Sequence, residues 1–346
     1  MIRKLELHDF RNYERIKVEF EKGINVVIGK NGCGKTNLLE AVFLLLQGRS
    51  MRTSDVREMV RNGEEKAAVN GAFEADGEVK TRIVIEREGS LSGRKEVRDL
   101  RAVSFQPEDI WMVKGGPDAR RKYLDEVIIE LKKGYRETIR EYQRVLRQRN
   151  EAIKAVRKGA KGREFIRNWN PLLYEKGSTV VEERKKAARG LQQGMSELSK
   201  RWKKGEIELK YYTSMGDGAG DKEKVKAKMA KMEDTEIRRG ITLIGPHRDE
   251  LLFVFAGKNV RRQCSQGEQK LITIMWRLAQ AKSMENEAGK GILLLMDDCL
   301  SELDKENRWL LLDEMREWEQ VVVTTTDDTK ELDGTTRIWL EREAGG

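Results

Sequence analysis

The chain has 346 residues, 38% of them hydrophobic and 37% charged, and a formal net charge of +9 at pH 7. That length can bury a sizeable core in one large domain or two lobes, and no apolar run approaches the ~20 residues of a membrane span. The cysteines Cys33, Cys264 and Cys299 lie far apart without metal-ligand spacing, which points to a reduced, cytoplasmic setting.

Ile2–Leu7 alternates charged and apolar residues, as a strand does and a signal peptide does not. Ile16–Phe20 and Ile24–Ile28 read as further strands, and Asn37–Leu46 reads as a helix. Between the last two lies Gly29-Lys-Asn-Gly-Cys-Gly-Lys-Thr36, which fits G-x-x-x-x-G-K-[ST]. Strand, glycine loop and helix N-terminus together predict a phosphate cradle. Backbone N–H groups around Asn31, Gly32, Gly34 and Asn37 face an anion, Lys35 reaches its outer phosphates, and Thr36 holds Mg²⁺. The nucleotide expected is ATP. Cys33 reads as a small filler of the loop.

Ala68–Phe73, Lys80–Glu86 and Ala102–Phe105 continue the strand-rich first third, and from Pro107 to Lys204 the pattern turns helical. Between Arg120 and Arg167 there are 16 Lys/Arg against 7 Asp/Glu, so this stretch alone carries the net charge of the chain. On the helix around Ile139, Arg136, Arg140, Arg144 and Arg147 form a stripe on a face beside the apolar one and are candidate contacts for DNA phosphates. Ile207–Thr213 reads as a strand, Gly216–Gly220 as a mobile loop, Asp221–Glu236 as a helix, and Ile241–Ile244 and Leu251–Phe255 as strands.

The last third alternates helix and strand: Gly267–Ala281, Ile292–Met296, Lys305–Trp318, Val321–Thr325 and Arg337–Leu340. Ile292–Met296 is a buried strand ending in Asp297-Asp298, and ligands of α/β sheets bind at the carboxyl ends of strands. Asp297 then sits near Mg²⁺ and Asp298 orients or activates the attacking water. Ser265-Gln-Gly-Glu-Gln269 opens a helix as an ATP-binding-cassette signature does. Ser265, Gly267 and Glu268 would there bind the nucleotide of a second subunit, and Ser301-Glu-Leu-Asp304 follows at the position of an interface loop. The fold expected is α/β, an ABC-type ATPase head. Its lobe I, with the phosphate loop and a mixed sheet, is built from 1–105 and 241–346, and a mainly helical lobe II is inserted at 106–240.

With these motifs in place the chain resembles the RecF family, bacterial recombination mediators related to SMC-type cassette ATPases. The resemblance runs nearly end to end. It is carried by Asp9-Phe-Arg-Asn-Tyr13, Thr36-Asn-Leu-Leu-Glu40, Pro107-Glu-Asp-Ile110, Lys114-Gly-Gly-Pro117, Arg120-Arg121, Leu124-Asp125, Gly245-Pro-His-Arg-Asp249 and Asp297–Asp304. It implies an ATP-dependent homodimer that binds duplex, gapped or junction DNA in recombinational repair and replication-fork recovery. It also implies work with RecR and RecO to load RecA, and slow, DNA-stimulated ATP hydrolysis. By position it implies nucleotide contact for Arg11 and γ-phosphate and metal sensing for Gln106. Two departures stand out. Asp298 replaces the usual Glu, with shorter reach, and Val323-Thr-Thr-Thr326 lacks a histidine at the switch position. A transporter ATPase subunit shares the three nucleotide motifs but not the basic helical lobe or the family-specific blocks. An SMC-like organiser requires long heptad arms that the middle of this chain lacks, and a metal-dependent nuclease requires an acid or histidine cluster beyond the ATP site. His247, within Gly245–Asp249, is expected to be structural.

Overall fold

The computed structural model describes residues 1–340 apart from 76, 94–96, 98–99, 217–219 and 289–290, so most of the glycine-rich stretch 216–220 lies outside the described residues. In chain order the first part contains β1 (Ile2–Phe10), β2 (Tyr13–Glu19), β3 (Gly23–Ile28), α1 (Lys35–Gln47), β4 (Lys66–Ala75), β5 (Gly77–Glu86), β6 (Leu91–Ser92) and β7 (Leu100–Phe105). The middle contains α2 (Trp111–Lys114), α3 (Pro117–Leu131), α4 (Tyr135–Arg157), α5 (Glu164–Arg167) and α6 (Asn170–Arg201). It continues with β8 (Ile207–Tyr212), α7 (Lys222–Arg239), β9 (Glu250–Phe255), β10 (Lys258–Asn259) and α8 (Val260–Gln263). The last part has α9 (Gln266–Ala288), β11 (Gly291–Met296), α10 (Lys305–Arg316), β12 (Gln320–Thr325) and β13 (Thr336–Trp339).

Two units arise from these elements: Met1–Asp109 with the chain from Gln266 onward, and Ile110–Ser265. The first unit holds a parallel sheet in the order β13-β3-β12-β11-β7 and an antiparallel sheet in the order β2-β1-β4-β5-β6. Helix α1 packs on β7 and β12 of the parallel sheet and on β4 and β5 of the antiparallel one. A helix between two sheets must be apolar all round, and every residue from Leu38 to Leu46 is buried. Gln320 ties the layers together. Its amide nitrogen donates to Ile2 O (2.8 Å) and Glu21 O (2.9 Å), and its amide oxygen accepts from Ile2 N (2.7 Å).

The second unit combines helices with a three-stranded sheet in the order β10-β9-β8. This corrects the expected return to the first lobe at 241. Strand β9 pairs antiparallel with β8 from Ile207↔Phe255 to Tyr212↔Glu250, so the hairpin stays in the inserted unit and the boundary falls after Ser265. Ile241–Ile244 is not a strand. Side chains satisfy its backbone instead of a neighbouring strand: Thr242 N donates to Asn150 Oδ1 (2.8 Å) and Leu243 N to Glu236 Oε1 (2.7 Å).

The blocks that distinguish this chain from cassette ATPases in general lie largely inside this second core. Arg184 makes two bonds to Asp125 (2.8 and 2.7 Å) and one to Pro246 O (2.7 Å), and Arg120 pairs with Glu250 (2.8 and 2.9 Å). The imidazole of His247 meets Thr242 O through Nε2 at 3.1 Å. A carbonyl only accepts, so Nε2 carries the hydrogen and Nδ1 accepts from Tyr142 OH at 2.5 Å. Burial pushes the His247 pKa down to about 4. Arg184, Asp125, Arg120 and Glu250 are thus structural here, each matched by hydrogen bonds within the unit.

Candidate nucleotide site

The site begins where β3 ends. Gly32 and Gly34 sit at φ +82° and +103°, in the left-handed region that glycine occupies without a Cβ penalty. At Gly34 a Cβ would lie 2.6 Å from the Tyr13 ring and hydroxyl and 2.8 Å from Asn12 Nδ2, so only glycine fits between loop and β2. From there α1 starts at Lys35, which turns the loop N–H groups and the helix N-terminus toward one concavity. Lys35 Nζ donates to Gly29 O (2.6 Å) and Lys30 O (3.0 Å).

Strand β11, fully buried from Ile292 to Met296, delivers Asp297 to the same edge of the sheet. Asp297 N donates to Phe105 O at 2.9 Å, which pins the acid beyond the carboxyl end of β7 as well. Its Oδ2 accepts from Thr36 Oγ1 at 2.7 Å and its Oδ1 from Thr324 Oγ1 at 2.6 Å. Burial raises the Asp297 pKa above the usual carboxylate range, and the two threonine hydrogen bonds oppose that rise. A hydroxyl and a carboxylate oxygen side by side are hard donors suited to Mg²⁺, which takes one or two protein carboxylates and completes its shell with phosphate and water. Among the described residues no group of three or more His, Cys, Asp or Glu forms a self-contained metal cage.

Asp298 has a left-handed backbone, φ +47°. Its N–H donates to Thr324 Oγ1 (2.9 Å) and its Oδ2 accepts from Ser301 Oγ (2.7 Å). It borders a cavity of about 310 Å³ that also has Asn31, Gly32, Gly34, Lys35, Thr36, Asn37 and Asp297 in its wall. Thr326 reaches this wall too, at the strand end where the sequence lacks a histidine.

Three residues complete the wall that sequence reasoning missed: Asn12, Arg52 and Pro107. Asn37 joins the first two, donating to Asn12 Oδ1 (2.7 Å) and accepting from Arg52 Nη1 (2.9 Å). Arg11 is directed elsewhere. It makes a bidentate pair with the buried Glu40 carboxylate (2.8 and 2.7 Å) and donates to Glu58 O (2.7 Å). Its neighbour Asn12 takes the position in the wall. Gln106 donates through its side chain to Met51 O (3.2 Å), and its backbone N–H bonds Asp109 (3.0 Å). Asp109 in turn receives two bonds from Arg277 on α9 (3.0 and 2.6 Å), which fastens the Gln106 loop to that helix.

Ser265 immediately precedes α9 and is exposed, while Gly267 and Glu268 form its first turn outside the wall of the Lys35 cavity. In the second unit Arg136, Arg140, Arg144 and Arg147 are all exposed on α4. Arg149 on the same helix is 1% exposed and is bonded to Asn170, Thr242 and Glu236. No described helix is long and apolar enough to cross a membrane.

A family model described as "RecF/RecN/SMC N terminal domain" matches residues 1–338. The chain is 33% identical over 344 residues to the DNA replication and repair protein RecF of Bacillus velezensis, covering 94% of this chain and 93% of the relative. Among solved structures it is similar to that of the recombination mediator protein RecF-ATPrS in the RecFOR pathway, with a TM-score of 0.83, 29% identity, and 99% and 96% of the two chains covered. An Smc head bound to the C-terminal winged-helix domain of ScpA shares the fold, with a TM-score of 0.55 at 18% identity over 98% of this chain and 94% of that one. The architecture is therefore the ABC-type ATPase head expected from the sequence.

Proposed function

This chain belongs to the RecF family, and from that premise we propose that it is an ATP-dependent DNA-binding switch of recombinational repair. It acts with RecR and RecO to help load RecA at gaps or junctions, as the RecFOR pathway named for its structural relative suggests. The observation that carries the nucleotide reading is the Thr36–Asp297 hydrogen bond. It brings the phosphate loop and the acidic strand end together across 261 residues.

Lys35 and the loop N–H groups hold the outer phosphates, and Thr36 with Asp297 would hold Mg²⁺. The ion supplies charge neutralisation on those phosphates when bound. Asp298 accepts a hydrogen bond from the attacking water and takes its proton. An aspartate reaches less far than a glutamate, and Thr326 offers no imidazole. Both suit a slow timer better than a fast motor. Ser265, Gly267 and Glu268, at the start of α9, bind the nucleotide of a second copy, so ATP favours a homodimer by contacts that ADP lacks. The exposed arginines 136, 140, 144 and 147 of α4 then engage DNA phosphates.

The test is fluorescence-anisotropy binding to a short duplex with ATP, ADP or no nucleotide across a salt series. A surface engaging ~6–10 phosphates loses on the order of 10³–10⁵ in affinity between roughly 50 and 200 mM salt. Tight, salt-steep binding with ATP alone is expected, and charge reversal at Arg140 and Arg144 should flatten the salt slope. Equal, weak binding in all three nucleotide states would reject the ATP-gated reading.

A further inference from the structure

We propose that Lys270 is a positioning residue for hydrolysis, acting through Ser301 to fix the direction of the Asp298 carboxylate. The inference rests on the reading of Asp298 as the group that activates water. Lys270 lies on α9 and is 6% exposed, an unusual place for an ammonium group. It makes no direct ion pair with a carboxylate among the described residues. All three of its N–H bonds go instead to one turn: Asp298 O (2.9 Å), Ser301 O (2.6 Å) and Ser301 Oγ (2.7 Å).

The ammonium cannot accept a hydrogen bond, so Ser301 Oγ must accept from it. The single hydroxyl hydrogen of Ser301 is then directed to Asp298, with Oδ2 at 2.7 Å and the longer contact to Asp298 O at 3.0 Å. Oδ2 is thereby occupied and Oδ1 is left to meet water. The Asp298 backbone is gripped at both ends, its N–H by Thr324 Oγ1 and its carbonyl by Lys270, which holds its left-handed conformation. A short acid needs such a grip more than a glutamate does, because it has one fewer torsion with which to search for the water. Lys270 is also about one helical turn from Gly267 and Glu268 at the start of α9. Displacement of that helix end therefore reaches Asp298 through a rigid three-bond clamp.

The experiment is single-turnover hydrolysis of Mg²⁺-ATP by the full chain, alongside ATP affinity and thermal melting. The variants are Lys270→Met, Ser301→Ala, Ser301→Thr, the Lys270→Met/Ser301→Ala double and Asp298→Asn. A carboxylate released from its aim costs on the order of 100-fold in the chemical step. The expected result is a loss of that order in both Lys270→Met and Ser301→Ala with ATP affinity unchanged. The double variant should be no slower than either single, since both act along one path, and Ser301→Thr, which keeps the hydroxyl, should retain most of the rate. Wild-type rates in Lys270→Met and Ser301→Ala beside an inactive Asp298→Asn would overturn the inference and leave the role of Asp298 standing. Losses that multiply in the double variant, or that track falling ATP affinity and melting temperature, would also overturn it. A wild-type rate in Asp298→Asn would instead reject Asp298 as the activating group, and the Lys270 role with it.

Discussion

Helix α4 carries arginines of two kinds, and replacing one of each separates fold from interface. Arg149 is 1% exposed and its partner Glu236 is fully buried, with Nη2 to Oε2 at 2.7 Å. The same guanidinium donates to Asn170 Oδ1 (3.0 Å) and Thr242 Oγ1 (2.9 Å), while Glu236 also accepts Leu243 N (2.7 Å). Arg149→Met therefore keeps most of the packing volume but leaves a buried carboxylate without its cation. Removing one partner of such a pair costs about 3–5 kcal/mol. With a urea slope of roughly 3 kcal/mol/M for a chain of this size, the unfolding midpoint should fall by about 1–1.7 M. Arg144→Met, at an exposed position five residues earlier, should stay within about 0.5 kcal/mol of the parent. DNA affinity should show the opposite ranking for the folded proteins. Urea titration followed by circular dichroism reads the first effect. A midpoint shift under about 0.3 M for Arg149→Met would refute the reasoning, because the buried carboxylate would then have found another way to be satisfied.

Asp297→Asn should abolish hydrolysis and the thermal shift produced by Mg²⁺-ATP, yet leave the nucleotide-free melting temperature equal or higher. Its carboxyl pKa is raised by burial, so at neutral pH the fold carries a charge it disfavours, and a lower melting temperature would contradict that. His247 works in the opposite direction on acidification. Its pKa falls from 6.5 to about 4 in the fold, so the unfolded chain binds the extra proton between those values and stability rises with pH through that window. The loss from pH 7 to pH 5 should be about 2 kcal/mol from this group, read as a urea-midpoint shift that disappears in His247→Gln.

The parts of the site written in one stretch of chain were legible. The buried run before Gly29, the glycine spacing and the apolar helix after it define the loop whatever lies elsewhere, and Asp297-Asp298 ends a strand apolar throughout. Asn12 and Arg52 were not legible, because only folding brings the β1–β2 turn and the stretch after α1 to Asn37. The partner of Arg11 was hidden for the same reason. Its pairing depends on Glu40 being buried, and nothing in the local pattern announces a buried acid on an apolar helix. The 241–244 strand failed for a different reason. The spacing of Ile241, Leu243 and Ile244 states which side chains are apolar, but not whether the backbone will be satisfied by a strand or by Asn150 and Glu236. The misplaced boundary followed from that failure, since a strand at 241 naturally starts a new sheet, whereas the real pairing of β9 with β8 keeps the hairpin in the inserted unit. On α4, periodicity separated a charged face from an apolar one but did not reveal that Arg149 turns inward.

Strand β3, which feeds the phosphate loop, is flanked by β12 on one side and β13 on the other, in register from Gly23↔Gln320 to Ile28↔Trp339. Both neighbours lie far downstream of it in the chain. At roughly 10 residues per second, about half a minute separates the synthesis of β3 from that of the strands that pair with it. Throughout that interval its Val-rich backbone has two open edges, a state prone to pairing with the wrong chain. The nucleotide loop therefore waits for strands far downstream before it acquires its scaffold. Until β12 and β13 are made, the strand that feeds the ATP site lacks both of its partners.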